Sequence, residues 1–375
     1  MSGAWAGRLL ALALLPAVVV AGDGWAQSPP RTQPASARQD VAARWDRSAL
    51  PGDIELWPPR TVLGYDRDAG GAHAALFLTC SADGADGRCP RHDTGETGAS
   101  RSTVAVSFSE RRSGMRTTLD VTGWIERIDA DQDCHAGYWD ATPRALWSSA
   151  AAPCGTAPGG GTGAALRVPA GELEKLVAGH WTARLQLVLR RPPDEAVATY
   201  VFDFAFTVTD HDAAAIYFPA FGQGAAEIGL DLRHDPLTRR LDGRALLDMC
   251  LYDGQGSSSG SLGLTVRDAG RRRGPAGFAL WHEQGGSDDA QRLDYSVRVE
   301  HAGARLLLVD GVEQALRGID DAALRRVVLP GMTRPVHCLP APLTFEAHDI
   351  PIGSKRPGRY SGGLQVELRV PTSRP

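Results

Sequence analysis

The chain has 375 residues, 43% of them hydrophobic and 22% charged, and carries a net charge of −4 at pH 7. This composition is too apolar for a disordered chain and sufficient for about two domains. The mildly acidic balance excludes a globally basic nucleic-acid binder, and the absence of asparagine leaves no N-x-Ser/Thr glycosylation site.

Residues 1–26 read as a secretory signal peptide. Arg8 supplies charge near the amino terminus, the apolar run covers Leu9–Val20, and Gly24-Trp25-Ala26 places small residues around a cleavage point before Gln27. The run is too short to span a bilayer, so the expectation is an exported, soluble mature chain. Export turns the even set Cys80, Cys89, Cys134, Cys154, Cys250 and Cys338 into a candidate disulfide framework. Six cysteines allow about 15 connectivities. The simplest joins neighbours in sequence: Cys80–Cys89, Cys134–Cys154 and Cys250–Cys338. Without a C-x2-C pair or a matching histidine spacing, no zinc site is expected.

Residues 27–50, rich in Pro, Ser, Ala, Gln and Arg, show little periodicity and read as a flexible leader. From residue 51 onward period two dominates. Leu119 and Val121 fall in an extended pattern over 116–127. Trp181, Ala183, Leu185, Leu187 and Leu189 alternate with mostly polar neighbours, and Tyr200, Phe202, Phe204, Phe206 and Val208 alternate more strictly. Such stretches are half-buried strands. Only 170–177 and 320–328 look helical. The alternation stops near Phe218–Gly224, so the predicted organisation is a first sandwich over 51–220, a linker at 221–224 and a second unit over 225–375. Residues 51–220 hold 15 basic and 22 acidic residues, net −7, whereas 225–375 hold 20 and 19, net +1. The second unit begins with a predicted strand at 226–232 and continues through short strands near 245–252, 261–267, 278–282, 293–301, 305–309, 343–347 and 365–370. The fold class is all-β: two β-sandwiches in tandem. Leu364, Val366, Leu368 and Val370 form an amphipathic strand close to the chain end. Inside a sheet, it would leave a free edge able to take up a partner's strand.

Enzyme signatures do not survive inspection. Gly256-Ser257-Ser258-Ser259-Gly260 has the letters of a nucleophile elbow, but that motif needs a strand before it and a helix after it, and here a loop separates two strands. The His-Asp pairs at 92–93, 211–212, 234–235 and 348–349 would point to opposite strand faces. Asp129, Asp131 and Asp133 resemble the start of a calcium loop, yet Cys134 occupies the place of the required glycine. No catalytic residue, metal site or cofactor is expected. A secreted monomeric β-sandwich lectin or hydrolase is the alternative that composition alone leaves open.

The stretch Leu247-Asp248-Met249-Cys250-Leu251-Tyr252-Asp253-Gly254, its Ser-rich loop and the strand 262–267 resemble the signature of the CfaE/CblD family of fimbrial tip adhesins and pilus-assembly initiators of the alternate chaperone–usher route. Gly229–Arg233, Pro335–Pro340, Gly358–Leu364, Phe77–Cys80, Val168–Leu173, Trp181–Arg184 and Ile216–Phe221 extend the likeness over roughly residues 60–372. The resemblance implies an adhesin sandwich joined to a pilin sandwich that lacks its last strand. The strand carrying Leu364, Val366, Leu368 and Val370 would border the resulting groove, filled first by a periplasmic chaperone and then by the major pilin, with an outer-membrane usher as assembly partner. It further implies export to the periplasm and a final position at the fimbrial tip on the bacterial surface. Related members use surface arginines for host-cell binding, which by resemblance points to Arg67, Arg190 and Arg191 and to a host glycan or glycoprotein. Aligned without a gap, the family's arginine pair falls on Arg191 and Pro192; a one-residue shift restores Arg190-Arg191. A tip initiator without receptor binding is the rival within this reading.

Overall fold

The computed structural model describes residues 28–67, 73–81, 84, 86–130, 137–150, 159–221, 225–270, 272–275 and 277–371. The expected signal peptide, Cys134, Cys154 and most of the expected linker lie outside them. No helix among the described residues is long and apolar enough to cross a membrane.

Among the described residues the first half has nine strands: β1 (Ala37–Asp46), β2 (Ile54–Asp66), β3 (Phe77–Cys80), β4 (Ser102–Glu110), β5 (Arg116–Asp129), β6 (Trp139–Arg144), β7 (Gly160–Val168), β8 (Gly179–Arg191) and β9 (Glu195–Thr209). They form one sheet in the order β1-β9-β8-β4-β5-β7-β2, with β3 also on β8 and β6 on β5. The sheet folds over on itself. Although β2 and β9 stand far apart in strand order, Trp57 of β2 meets Tyr200 and Phe202 of β9 edge-on at ring separations of 4.9 and 5.3 Å. The alternation along β9 does what the pattern requires: Tyr200, Phe202, Phe204, Phe206 and Val208 all lie in the buried cluster.

Residues 27–50, expected as a flexible leader, include an ordered strand. Residues 37–46 run parallel to β9, Ala37 opposite Tyr200 and Asp46 opposite Thr209. Thr32 exchanges backbone hydrogen bonds of 2.9 and 2.8 Å with Tyr65 of β2. The segment therefore ties together the two edges of the folded sheet. Its pattern is weak because it contributes few large core side chains, chiefly Val41 and Trp45, and its parallel partner lies too far along the chain to leave a local signal.

The second half contains β10 (Ala215–Tyr217), β11 (Arg233–Asp235), β12 (Arg240–Leu247), β13 (Cys250–Tyr252), β14 (Ser261–Asp268), β15 (Ala279–His282), β16 (Arg292–Asp294) and β17 (Ser296–His301). There follow β18 (Ala304–Leu308), β19 (Glu313–Arg317), β20 (Arg325–Val327), β21 (Val336–Pro340), β22 (Leu343–Pro351), β23 (Tyr360–Ser361) and β24 (Leu364–Arg369). A sheet β11-β12-β22-β17-β18 faces a sheet β19-β14-β24 across a core that includes Leu264, Val266, Val297, Val299, Leu343 and Phe345. Two smaller sheets, β10-β13-β21-β20 and β16-β15-β23, complete it. The molecule is thus all-β, two β-sandwiches in tandem.

Three local expectations differ from the structure. β10 already pairs with β13, and Phe218 belongs to the second core, so the second half starts before 221. Residues 320–328 are not helical: Arg325–Val327 is a strand held by β21, while the only helical turn near 170–177 is α1 (Ala170–Leu173). Residues 226–232, predicted as a strand, form none. A strand needs a neighbour's ladder as well as a pattern, and this segment has the pattern alone.

Two expected disulfides are formed. Cys80–Cys89 ties the end of β3 to the following loop, and Cys250–Cys338 joins β13 to β21. The Ser-Gly loop connects two strands, as expected. It is organised by the buried carboxylate of Asp253, which accepts from the backbone N–H groups of Gln255, Ser257 and Ser259 and from the Ser259 hydroxyl.

Candidate functional site

Two features, one in each half, invite partners. In the second half, β24 pairs with β14 through six registered positions, from Leu364 opposite Asp268 to Arg369 opposite Gly263. Among the described residues its other side has no strand partner. Leu364, Val366, Leu368 and Val370 are only partly buried although they pack on the second core. The unladdered segment 226–232 presents a matching row: Ala226 and Leu230 pack partly buried on that core, while Ile228 and Leu232 are 37% and 39% exposed. Gly243 of β12 is the reason this segment can lie so close, since a Cβ there would stand 2.6 Å from Leu232 and 2.7 Å from the Leu230 carbonyl. Two apolar rows over one core, neither with a ladder on its free side, have the chemistry of a sandwich that can accept one more strand.

The second feature is the pole of the first half farthest from the junction. Where β2, β3 and β8 terminate together, the register brings Arg190 opposite Phe77. Arg190 donates to Thr79 Oγ1 at 3.0 Å and to the Asp194 carbonyl at 3.0 Å, and Arg191 donates to Glu195 Oε2 at 3.0 Å. Their side chains are 22% and 29% exposed, so most of each side chain is covered. Arg67 follows β2 at the same pole and is exposed. The structure adds a residue that the sequence reading passed over: Arg31, 69% exposed, reaches Asp66 at 2.9 Å. It sits in the segment read as a leader, and only the Thr32–Tyr65 pairing puts it there.

His73 lies beneath this pole, buried, with neither ring nitrogen partnered among the described residues. Burial and the charges of Arg191 and Arg31 push its pKa down, against the pull of Asp66. It therefore sits as a neutral ring between cations. Nearby, the fully buried Arg127 is satisfied by the Leu76 and Ser148 carbonyls and by Thr162 Oγ1, which in turn donates to the His73 carbonyl. Burial pulls the Arg127 pKa down to about 9. This network braces the pole.

Residues 25–211 match the family model for the first domain of CfaE, a protein of CFA/I fimbriae, and residues 214–372 match that for its second domain. The chain belongs to the CfaE family of fimbrial proteins. Both halves are therefore accounted for, with the division falling just before β10 rather than at 221–224. The chain is 27% identical over 291 residues to the CFA/I fimbrial protein CfaE of Escherichia coli, covering 75% of this chain and 76% of that protein. The crystal structure of CfaE, the adhesive subunit of CFA/I fimbria of enterotoxigenic Escherichia coli, superposes with a TM-score of 0.69 at 23% identity, over 92% of this chain and 95% of that one. A chaperone–tip adhesin complex from CFA/I fimbriae biogenesis gives 0.67 at 23% identity, over 92% and 99%. At this identity the structures speak to a shared fold, and that fold is the two-domain one described above.

Proposed function

We propose that the chain is a non-enzymatic fimbrial tip subunit whose second domain is completed by a strand from another protein. The observation that carries this reading is that the unladdered, strand-patterned segment 226–232 and the free-edged strand β24 both pack, partly buried, on one core. Exported to the periplasm, the chain would first take its missing strand from a chaperone, then from the major pilin at the usher, and would end at the fimbrial tip. An incoming strand would satisfy the outward backbone groups of β24 and cover Leu364, Val366, Leu368 and Val370.

The far pole of the first domain is the proposed receptor surface. Guanidinium forks suit the carboxylates and hydroxyls of a host glycan or glycoprotein. Arg31 is the most accessible ion-paired member, Arg67 stands beside it at the chain exit from β2, and Arg190 and Arg191 form the braced floor.

The test is mass spectrometry of what co-purifies with tagged full-length protein from the native periplasm. The expected result is a stoichiometric small partner that is lost when Val366→Asp and Leu368→Asp are introduced into a chain that still accumulates. A stable monomer with no partner would overturn the strand-acceptor reading. For the pole, Arg31→Ala with Arg191→Ala should abolish host-cell binding of the assembled fimbria without changing its assembly; undiminished binding would remove these arginines from the receptor site.

A further inference from the structure

A third feature lies at the junction, on neither proposed surface. The turn between β4 and β5 reaches across to the second domain, where Arg112 Nη2 donates to the Ile319 carbonyl at 3.0 Å and also to that of Ala322. Beside this contact is a cleft of ≈ 470 Å³ whose walls come from both domains. Arg116, Thr117 and Lys175 line it from the first domain, and Arg326, Arg334 and His337 from the second.

The cleft gathers cations from a first domain of net −7 and a second of net +1. No carboxylate lines it among the described residues. Arg116 and Arg326 have neither an ion pair nor a side-chain hydrogen bond among the described residues, and Arg334 donates only to the Lys175 carbonyl, at 3.3 Å. Lys175 is the exception, bound to Glu172 at 2.5 Å. Glu110 is near His337, yet its oxygens are already taken by the Ser113 N–H and hydroxyl and by the His180 N–H. Arg326 and His337 stand directly opposite each other across the β20–β21 ladder, which places them on one face. The adjoining hollow, shared through Lys175 and Arg334, is mixed in charge: Arg47 there is paired with Asp210 at 3.0 Å, and Glu174 also lines it. Like charges gathered in a concave wall repel one another in the free protein, and a bound multivalent anion would relieve this.

We infer that the junction cleft binds a short sulfated or phosphorylated saccharide, held by the Arg116, Arg326 and Arg334 guanidinium groups. Tetrahedral oxyanions match guanidinium forks, and the cleft has the volume of a small-ligand site. The shared chemistry could come from sulfated host glycans or from phosphorylated sugars of the bacterial surface. Because the cations come from both domains, the ligand would bridge them. The site stands apart from the strand-acceptor edge and the distal pole, so it does not depend on the function proposed for either.

Isothermal titration of the mature full-length protein, in whatever complex it is purified, tests this with two probes: a heparin-derived tetrasaccharide and mannose 6-phosphate. Binding of at least one probe is expected, weakened tenfold or more by Arg326→Gln with Arg334→Gln and, separately, by Arg116→Gln. A variant with Arg239→Gln and Arg305→Gln, two exposed arginines elsewhere, should bind like the parent. The preferred probe identifies the source as host or bacterial. Failure of both probes to bind at millimolar concentration would overturn the inference, as would equal affinity in the parent and both cleft variants.

Discussion

Supplying a strand in cis to the free edge of β24 should stabilise the protein by a calculable amount. The perturbation extends the chain past Pro371 by a tight turn and a strand of six residues, valine at inward and threonine at outward positions. β24 is bonded to β14 along six positions and free on its other side among the described residues. Alternate residues of an antiparallel strand face alternate neighbours, so the free side offers about six backbone groups. Bonds to these contribute ~1 kcal/mol net each, and three inward valines over the half-buried row add ~2 kcal/mol each. Ordering six residues costs ~1.5 kcal/mol apiece, which leaves about 3 kcal/mol of net stabilisation. In a domain of this size that raises the midpoint by about 6–12 °C, measured by differential scanning calorimetry on the full mature chain. The same extension with aspartate at the inward positions should give no rise. Equal midpoints for the two extensions, or a fall with valine, would refute the strand-acceptor argument.

Four further outcomes follow from the packing. Replacing both Cys250 and Cys338 by alanine opens a loop spanning 88 residues and should cost about 4–5 kcal/mol, against about 2–3 for Cys80 with Cys89; urea midpoints showing the reverse order would contradict the loop argument. Asp253→Ala strips four donors of their acceptor and should destabilise by about 3 kcal/mol, readable in the same titration. Trp45→Ala should cost about 3–5 kcal/mol, because Trp45 is 5% exposed against Phe206; a change below about 1 kcal/mol would return residues 37–46 to the status of a leader. Burial alone would raise the Asp46 carboxyl, but hydrogen bonds from Ser48, Thr209 and the His211 N–H overcome it and hold the group well below the usual range. A depressed carboxylate stabilises the fold above its unfolded pKa of about 3.9 and loses that contribution as pH falls. Asp46→Asn should therefore flatten the loss of stability below about pH 4, and an unchanged acid slope would show that Asp46 contributes nothing to it.

Much of this protein was legible from its residues because period two is a local property. The inward rows of β8 and β9, the all-β class, the two halves and the row Leu364–Val370 follow from alternation alone, since a strand with one buried face must write its burial into every second residue. Two cysteine pairings also followed from sequence order. The family signature around Cys250 was readable for a related reason: the Asp253 carboxylate organises its serine loop through contacts no more than six residues away.

What only the tertiary structure decided concerns partners distant in the chain. Residues 37–46 became a strand because β9, some 160 positions away, offered a parallel edge, and the Thr32–Tyr65 pairing brought Arg31 to the distal pole. Residues 320–328 lost their helix to a ladder with β21. Residues 226–232 kept a strand's alternation but have no ladder among the described residues. The junction cleft gathers Arg116 with Arg326 and Arg334 from segments more than 200 positions apart, with no motif to announce it. Side-chain pattern records which face is buried, whereas backbone hydrogen bonds and charge clusters depend on which distant segment arrives beside it, and that is settled only when the chain packs.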